Sequence, residues 1–246
     1  MKSPTTKLYE IYHAKRILQK KVITARDFTY TTVISLLSKY GFKGKDILDI
    51  GCGTGTMDFY IAKNGGWVKG LDISKNAIKI AKKNAVLLNL EQQVNFSNID
   101  FPKQVPIGRY DMILCMEVLE HLKNDYLAVK KIKKLLNDDG IVIASSPSVN
   151  SPLYKLGKLK KFDKEVGHLR RYTQKSFEDL FLSNKMTIVE SKLTEGFLRN
   201  FLFTSKIGGF VLKFAKRWPF SKMVTFVDNI TVQLFGESDI VVVAKK

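Results

Sequence analysis

Ile47-Leu48-Asp49-Ile50-Gly51-Cys52-Gly53-Thr54-Gly55 is the stretch that decides the fold. Its first four residues read as a short apolar strand, and three alternating glycines follow. Met57, Phe59, Tyr60 and Ile61 then recur at helical spacing. A strand that passes through bare glycines into a helix lets a nucleotide-like ligand approach the backbone. It also offers that ligand the free N–H groups of the helix start. A dinucleotide fingerprint would carry its third glycine at position 56, where this chain has Thr56.

Outward from this turn, strand-like and helical stretches alternate. Trp67–Leu71 reads as a second strand, and Ser74 caps a helix holding Ala77, Ile78, Ile80, Ala81, Ala85 and Leu88. Val94-Asn95-Phe96 begins a third strand and Tyr110–Met116 forms a fourth. A helix over about 125–136 precedes a fifth strand starting at Ile141. Alternation with short links predicts an α/β fold of Rossmann-like type, a mostly parallel sheet with helices on both faces. Right-handed crossovers then put the ligand crevice at the carboxyl ends of the strands. Upstream, residues 8–40 read as helical. Downstream, 174–182 is a helix, 186–193 a strand and 240–244 a last strand, with apolar, helix-like residues over 197–235.

Asp72 ends the second strand at the distance where a carboxylate grips two ribose hydroxyls. Asp100, after the third strand, is placed to accept from an exocyclic adenine amine, with Phe101 or Ile99 packing on the ring. One acid at a strand end is commonly a turn residue or a cap. Asp49, Asp72 and Asp100 on successive strands form a pattern instead. Ile47–Gly55 resembles the first motif of class I methyltransferases that use S-adenosylmethionine (SAM). Gly70-Leu71-Asp72-Ile73-Ser74 resembles their second-strand acidic motif, and Tyr110–Leu122 their fourth strand and the turn after it. The resemblance covers about residues 40–195. It implies a seven-stranded sheet with an antiparallel last strand, and SAM as donor with S-adenosylhomocysteine (SAH) as product. The expected donor site comprises Asp49, Gly51, Cys52, Gly53, Gly55, Asp72, Ile73, Asp100, Phe101, Met116 and Glu117.

Methyl transfer from a sulfonium is an in-line displacement, so the protein must align the acceptor and remove a proton. Glu117, Glu120 and His121 follow the fourth strand at spacings that share a helical face, and His168 lies before a later helix. Glu-x-x-Glu-His with a later His is similar to small-RNA 2′-O-methyltransferases and ubiquinone-pathway catechol O-methyltransferases. By that resemblance Glu117, Glu120, His121 and His168 would hold a divalent metal that lowers the pKa of an acceptor hydroxyl. The Leu-Arg-Arg-Tyr after His168 also occurs in methyltransferases of this class without a metal. On that reading His121 or His168 is the general base.

The whole chain, 1–246, is expected to be one domain. It divides into an N-terminal helical cap (1–44), a SAM-binding core (45–145), a basic lid loop (146–172) and an apolar helical insertion (197–235). Lysines crowd the lid, and Arg170, Arg171 and Tyr172 are expected to bind an acceptor that carries an anion. In 197–217, Phe197, Phe201, Phe210 and Phe214 stand with Arg199, Lys206 and Lys213, which recur every seven residues. That composition fits a membrane-docking helix, a lid over the acceptor or a contact between subunits.

Lys and Arg number 41 against 23 Asp and Glu, a net charge of +18 that attracts nucleic acid, phosphorylated molecules or acidic lipid without choosing among them. No run of about 20 apolar residues offers a membrane span, and Met1–Lys7 lacks an apolar signal core. The expected location is cytoplasmic, with docking at a membrane left open. Cys52 and Cys115 are expected to stay reduced. The function expected is methylation of a small or lipid-linked acceptor at oxygen. An RNA 2′-O-methyltransferase, a non-catalytic scaffold of the same fold and, with the wrong glycine spacing, a nicotinamide reductase are the alternatives. Acceptor and oligomeric state stay open.

Overall fold

The structure is a computed structural model that describes residues 4–14, 18–25, 27, 29–205, 208 and 220–246. Seven strands, β1 (Asp46–Ile50), β2 (Trp67–Asp72), β3 (Val94–Asn98), β4 (Tyr110–Met116), β5 (Leu136–Pro147), β6 (Thr187–Thr194) and β7 (Asp239–Lys245), form one sheet. Their order is β3-β2-β1-β4-β5-β7-β6. β1 to β5 run parallel, and β7 lies antiparallel between β5 and β6. The chain steps outward from β1 to β3 and then returns to place β4 on the other side of β1. That reversal opens a crevice above the carboxyl ends of β1 and β4.

Burial on both faces explains the near-continuous apolar strands. Ile47, Met112, Leu114, Ile143, Val241 and Val243 point into one core with helices α2 (Thr31–Tyr40), α3 (Thr56–Lys63) and α4 (Lys75–Leu87). Their neighbours Leu48, Ile113, Cys115, Val142, Ala144 and Val242 point the other way. There they meet helices α5 (Asp125–Leu135) and α8 (Gln174–Leu182), whose Val129, Ile132, Phe177 and Phe181 are fully buried.

Three expectations change. The 8–40 region is not one helical stretch: α1 (Pro4–Ala14) and α2 are separated by extended and turn residues. Asp27 organises this link by accepting from the Thr24 N–H at 2.9 Å. The fifth strand starts at Leu136 rather than Ile141, and its register against β4 shifts between Tyr110 and Met112. The basic segment 146–172 is not a loop throughout. It holds α6 (Pro152–Lys155) and α7 (Lys160–Val166), which Gly167 ends in a left-handed conformation. The 197–235 segment contains α9 (Phe197–Thr204) and α10 (Phe220–Phe235). Lys206, Phe210, Lys213 and Phe214, on which the membrane reading drew, lie outside the described residues. Among the described residues no helix is long and apolar enough to cross a membrane.

Gly70 in β2 marks where the sheet, α3 and β3 pack most tightly. A Cβ there would stand 2.7 Å from the Phe96 ring and 2.8 Å from Asp58 Oδ1. Gly70→Ala is expected to destabilise the fold by about 1–3 kcal/mol through overpacking, measured by urea unfolding. A loss below about 0.5 kcal/mol would mean that the ring yields freely.

Candidate active site

The turn from β1 into α3 is left-handed at Gly51, Gly53 and Gly55, with φ of 80°, 57° and 86°. Beyond backbone freedom the three glycines do different work. A Cβ on Gly51 would strike Val118, and one on Gly55 would lie 2.8 Å from Phe59 and Phe96. These two are bare because the core leaves no room. Gly53 alone faces open space, with only His13 Cε1 at 3.7 Å. That open cradle is where a donor can lie against the backbone, so the turn fits SAM.

Asp72 is held directly beneath it. Its carboxylate accepts from Gly53 N–H at 3.0 Å and Ser74 N–H at 2.7 Å, which ties the turn to the start of α4. Burial raises its pKa, and the two amides oppose that shift. Buried Asn84 of α4 donates to Thr54 O at 3.2 Å and accepts from Gln19 N–H at 2.9 Å, which pins the turn to the N-terminal link. α1 closes this side. Glu10 accepts from Ser74 Oγ and from the N–H groups of Lys75 and Asn76, so a carboxylate caps the positive end of α4.

Asp49 shares its face of the sheet with Asp58 of α3. Burial first, then the Asp72 charge, push Asp49 up to about 7. Burial and the Asp49 charge push Asp58 well above the carboxylate range. Burial likewise raises the thiols of Cys52 and Cys115, both free.

The far end of the donor region departs from expectation. Asp100 pairs with Lys103 at 2.6 Å. Phe101 is 6% exposed and packs in the core beside Leu71 and Tyr110, so its ring is not offered to an adenine. The half-buried Ile99 is the apolar group left at that edge. Ile73 carries the chain from Asp72 to Ser74, and Asn98 Nδ2 donates to its carbonyl at 2.8 Å.

A cavity of about 480 Å³ opens from Asp49, Gly51, Cys52 and Gly53 past Met116 and Glu117 to His168 and Arg171. His168 lies on its wall with Glu120 and His121 next to it, one ligand atom from each of the three lying within 4.8 Å of the others. Glu120 and His121 belong to the short 3-10 turn Leu119–His121 after β4. His168 is brought to them by the end of α7. His121 Nδ1 faces the Gly167 carbonyl at 3.0 Å, and a carbonyl can only accept, so that nitrogen carries the hydrogen. His168 Nδ1 faces Asp163 Oδ1 at 3.0 Å. Burial would raise Asp163, but hydrogen bonds from His168 and Arg171 hold it down at about 2, so it too accepts. Both Nε2 atoms therefore turn toward Glu120 Oε1, at 3.5 Å and 3.9 Å. Glu120 is fully buried, and its Oε1 has no hydrogen-bond partner. Burial and the Glu117 charge push its pKa well up, and burial drives His121 down to about 4. Three lone-pair donors facing one another in a dry place fit a divalent cation.

Glu117, the fourth ligand expected, stands apart from this group. Its backbone is left-handed at φ 54°, and its carboxylate accepts from Ser145 Oγ at 2.6 Å. The expected acceptor clamp is also spent elsewhere. Arg170 pairs with Asp125 at 2.5 Å, and the Tyr172 hydroxyl donates to the same carboxylate at 2.6 Å. Arg171 reaches the cavity but is already forked onto Asp163. Residues the motifs did not mark complete the chamber: His13 of α1, Glu195 after β6, Arg199 of α9 and Asp239 at the start of β7. The last three arrive through the long-range pairing of β5, β7 and β6, which leaves no local sequence signal. Scarcity of histidine was the one available hint for His13.

Residues 23–191 match the family described as methyltransferase domain. The chain belongs to that family. A ubiquinone biosynthesis O-methyltransferase of Glaesserella parasuis is 36% identical over 122 residues, which is 47% of this chain and 51% of that protein. Its Coxiella burnetii counterpart is 33% identical over 112 residues, 46% and 47% of the two. The chain thus spans about half the length of the curated relatives it matches. Magnesium protoporphyrin IX methyltransferase from Synechocystis, solved with SAH, superposes with a TM-score of 0.66 at 16% identity over 98% of this methyltransferase and 97% of that chain. A SAM-dependent methyltransferase from Mesorhizobium loti superposes with a TM-score of 0.65 at 14% identity, over 89% and 98%. At those identities the likeness is one of fold: the class I SAM-dependent methyltransferase fold. SAM is the donor.

We propose that Asp72 would hold the donor ribose, because it is the carboxylate anchored against the open cradle at Gly53. Asp72→Ala is expected to weaken SAM binding about ten- to a hundredfold, read by calorimetry. An unchanged affinity would move the ribose elsewhere.

Proposed function

We propose that this methyltransferase moves the methyl group of SAM to an oxygen of a small or lipid-linked acceptor. The observation that carries the reading is the convergence of Glu120 Oε1 with the two histidine Nε2 lone pairs beside the donor region. The O-methyltransferase relatives, each matched over about half their length, support oxygen as the accepting atom.

The glycine turn and Asp72 hold the donor, and Asp49 and Glu117 give its sulfonium a negative surround. Met116 ends β4 and Glu117 follows it, at the boundary between donor and acceptor volumes. Glu120, His121 and His168 would hold a divalent ion. When bound, such an ion acts as a Lewis acid that makes an acceptor hydroxyl easier to deprotonate. Gly167 O and Asp163 fix the tautomers of the two histidines, an outer layer that sets ring direction. His121, neutral down to about pH 4, is a better ligand than base. An RNA acceptor would have to bring phosphates to a chamber walled by Glu117, Glu195 and Asp239, which disfavours that alternative.

His121→Ala or His168→Ala is expected to lower turnover by about a hundredfold or more while SAM affinity stays nearly constant. Chelation should abolish turnover, and added Mg²⁺ or Mn²⁺ should restore it. Full activity in a chelator would remove the metal and leave His168 as the base.

A second observation favours a lipid-linked acceptor. Met223, Phe226, Val227, Ile230 and Leu234 lie along one stripe of α10 and are 42–68% exposed. Residues 197–235 carry Arg199, Lys206, Lys213, Lys216, Arg217 and Lys222 against a single acid, Asp228. An apolar stripe in a basic segment suits the surface of an anionic bilayer. The protein should co-sediment with phosphatidylglycerol vesicles, and Phe226→Asp with Leu234→Asp should reduce that binding several-fold. Equal sedimentation of wild type and variant would exclude α10 as the docking face.

A further inference from the structure

One helix touches both halves of the site. α1 packs along α4, and its residues from Leu8 to His13 reach the histidine pair on one side and the donor cradle on the other. Tyr9 and His13 stand four positions apart and so share a face. Buried His13 lines the cavity at Gly53, its Cε1 3.7 Å from where a Cβ on that glycine would stand. The Tyr9 ring meets the His121 ring edge-on with centroids 5.5 Å apart, and its hydroxyl donates to Val166 O at 3.5 Å. Leu8 packs on Gly167, where a Cβ would come within 2.8 Å of Leu8 Cδ2. The Gly167 carbonyl is the one that takes the His121 Nδ1 hydrogen. α1 therefore backs both the ring of His121 and the peptide that orients it.

A helix of 11 residues is marginal in water by itself, so α1 is ordered by what it touches. On the donor side Glu10 accepts from Ser74 Oγ and from the N–H groups of Lys75 and Asn76, just past Asp72. Asn76 Nδ2 donates back to the Glu10 carbonyl at 3.1 Å. A donor lying against Gly53 touches His13 only while α1 is docked. That contact favours the docked state, and the docked state is the one that backs His121.

We propose that α1 couples the donor to the histidine pair, with Tyr9 as a positioning residue for His121. The inference rests on the reading above that places His121 in the reacting site. It adds that the acceptor end is best ordered when the donor is in place.

The test uses the full chain with isotope-labelled histidine nitrogens, whose three imidazoles are followed by NMR. SAH should shift the His13 signal by contact and the His121 signal through α1. Tyr9→Phe keeps the ring and should keep the His121 shift. Tyr9→Ala and Glu10→Ala should each remove most of it, Tyr9→Ala with SAH affinity nearly unchanged by calorimetry. Coupling is reciprocal, so Mn²⁺ should bind about fivefold or more tightly to the SAH-loaded protein, and SAH should gain the same factor from Mn²⁺. In Tyr9→Ala that factor should fall close to one. If one alanine variant fails to fold, the other carries the comparison. A His121 signal that ignores SAH, or a shift that persists in both alanine variants, would overturn the coupling. So would weaker Mn²⁺ binding with SAH, the sign of a donor that pushes α1 away. Mn²⁺ binding that ignores SAH keeps the metal and rejects the coupling. No Mn²⁺ binding to the wild type rejects the metal instead, and the His121 shift then decides the coupling alone.

Discussion

The arrangement depends on how closely the backbone of β1 can approach both a ligand above it and the core below it. At the turn 51–55 these demands meet within five residues. Phe59 and Phe96 fill the space beneath Gly55, Val118 fills the space beside Gly51, and the surface above Gly53 stays open. Because side chains are excluded on one side by packing and on the other by the cradle, the turn is specified twice. The helix that follows presents its unpaired N–H groups to the crevice, and Asp72 holds the loop at Gly53 N–H. Every other group in the site is positioned relative to that fixed point, since β4, its 3-10 turn and β5 register against β1 in sequence across the sheet.

Charge is distributed by depth. Most basic residues lie on the outside, where water screens them and where a net +18 costs little. Acidic side chains instead gather at the carboxyl ends of the strands, where Asp49, Glu117, Glu195 and Asp239 line one chamber. Several of these carboxyls are pushed upward by burial and by one another, so the chamber is a poor place for a second anion and a favourable one for a sulfonium. The long-range field of the protein and the local field of its site therefore have opposite signs. Arg170 and Arg171, the expected clamp, serve Asp125 and Asp163.

What could be read in the sequence was whatever short-range periodicity or a local motif encodes. The β–α alternation from 45 to 145, the glycine turn, Asp72 and the Glu120-His121 pair all lie within such signals. The 8–40 stretch misled because apolar residues such as Val22 and Ile23 pack on the core from an extended link, which imitates helical spacing. Phe101 misled because a residue just after a strand end can turn inward as readily as outward, and the core beside Tyr110 took it. Glu195 and Asp239 had no signal, because only the pairing of β7 between β5 and β6 brings residues some eighty to a hundred and twenty positions from Glu117 to its side.

The histidine pair shows why hydrogen-bond direction, rather than proximity, gives the site its chemistry. Two imidazoles 4.8 Å apart beside a buried carboxyl could form a proton-sharing cluster that closes on itself. Gly167 O and Asp163 each claim an Nδ1 hydrogen and turn both Nε2 atoms toward Glu120. Ser146 Oγ satisfies one oxygen of Glu120 at 3.1 Å and leaves the other facing those nitrogens. A single proton on Glu120 could serve only one of the two nitrogens. A divalent cation serves all three atoms at once and removes the cost that burial imposes on the carboxylate. The backbone of Asp163–His168 thus decides the chemistry at Glu120, although neither Gly167 nor Asp163 contributes a ligand atom.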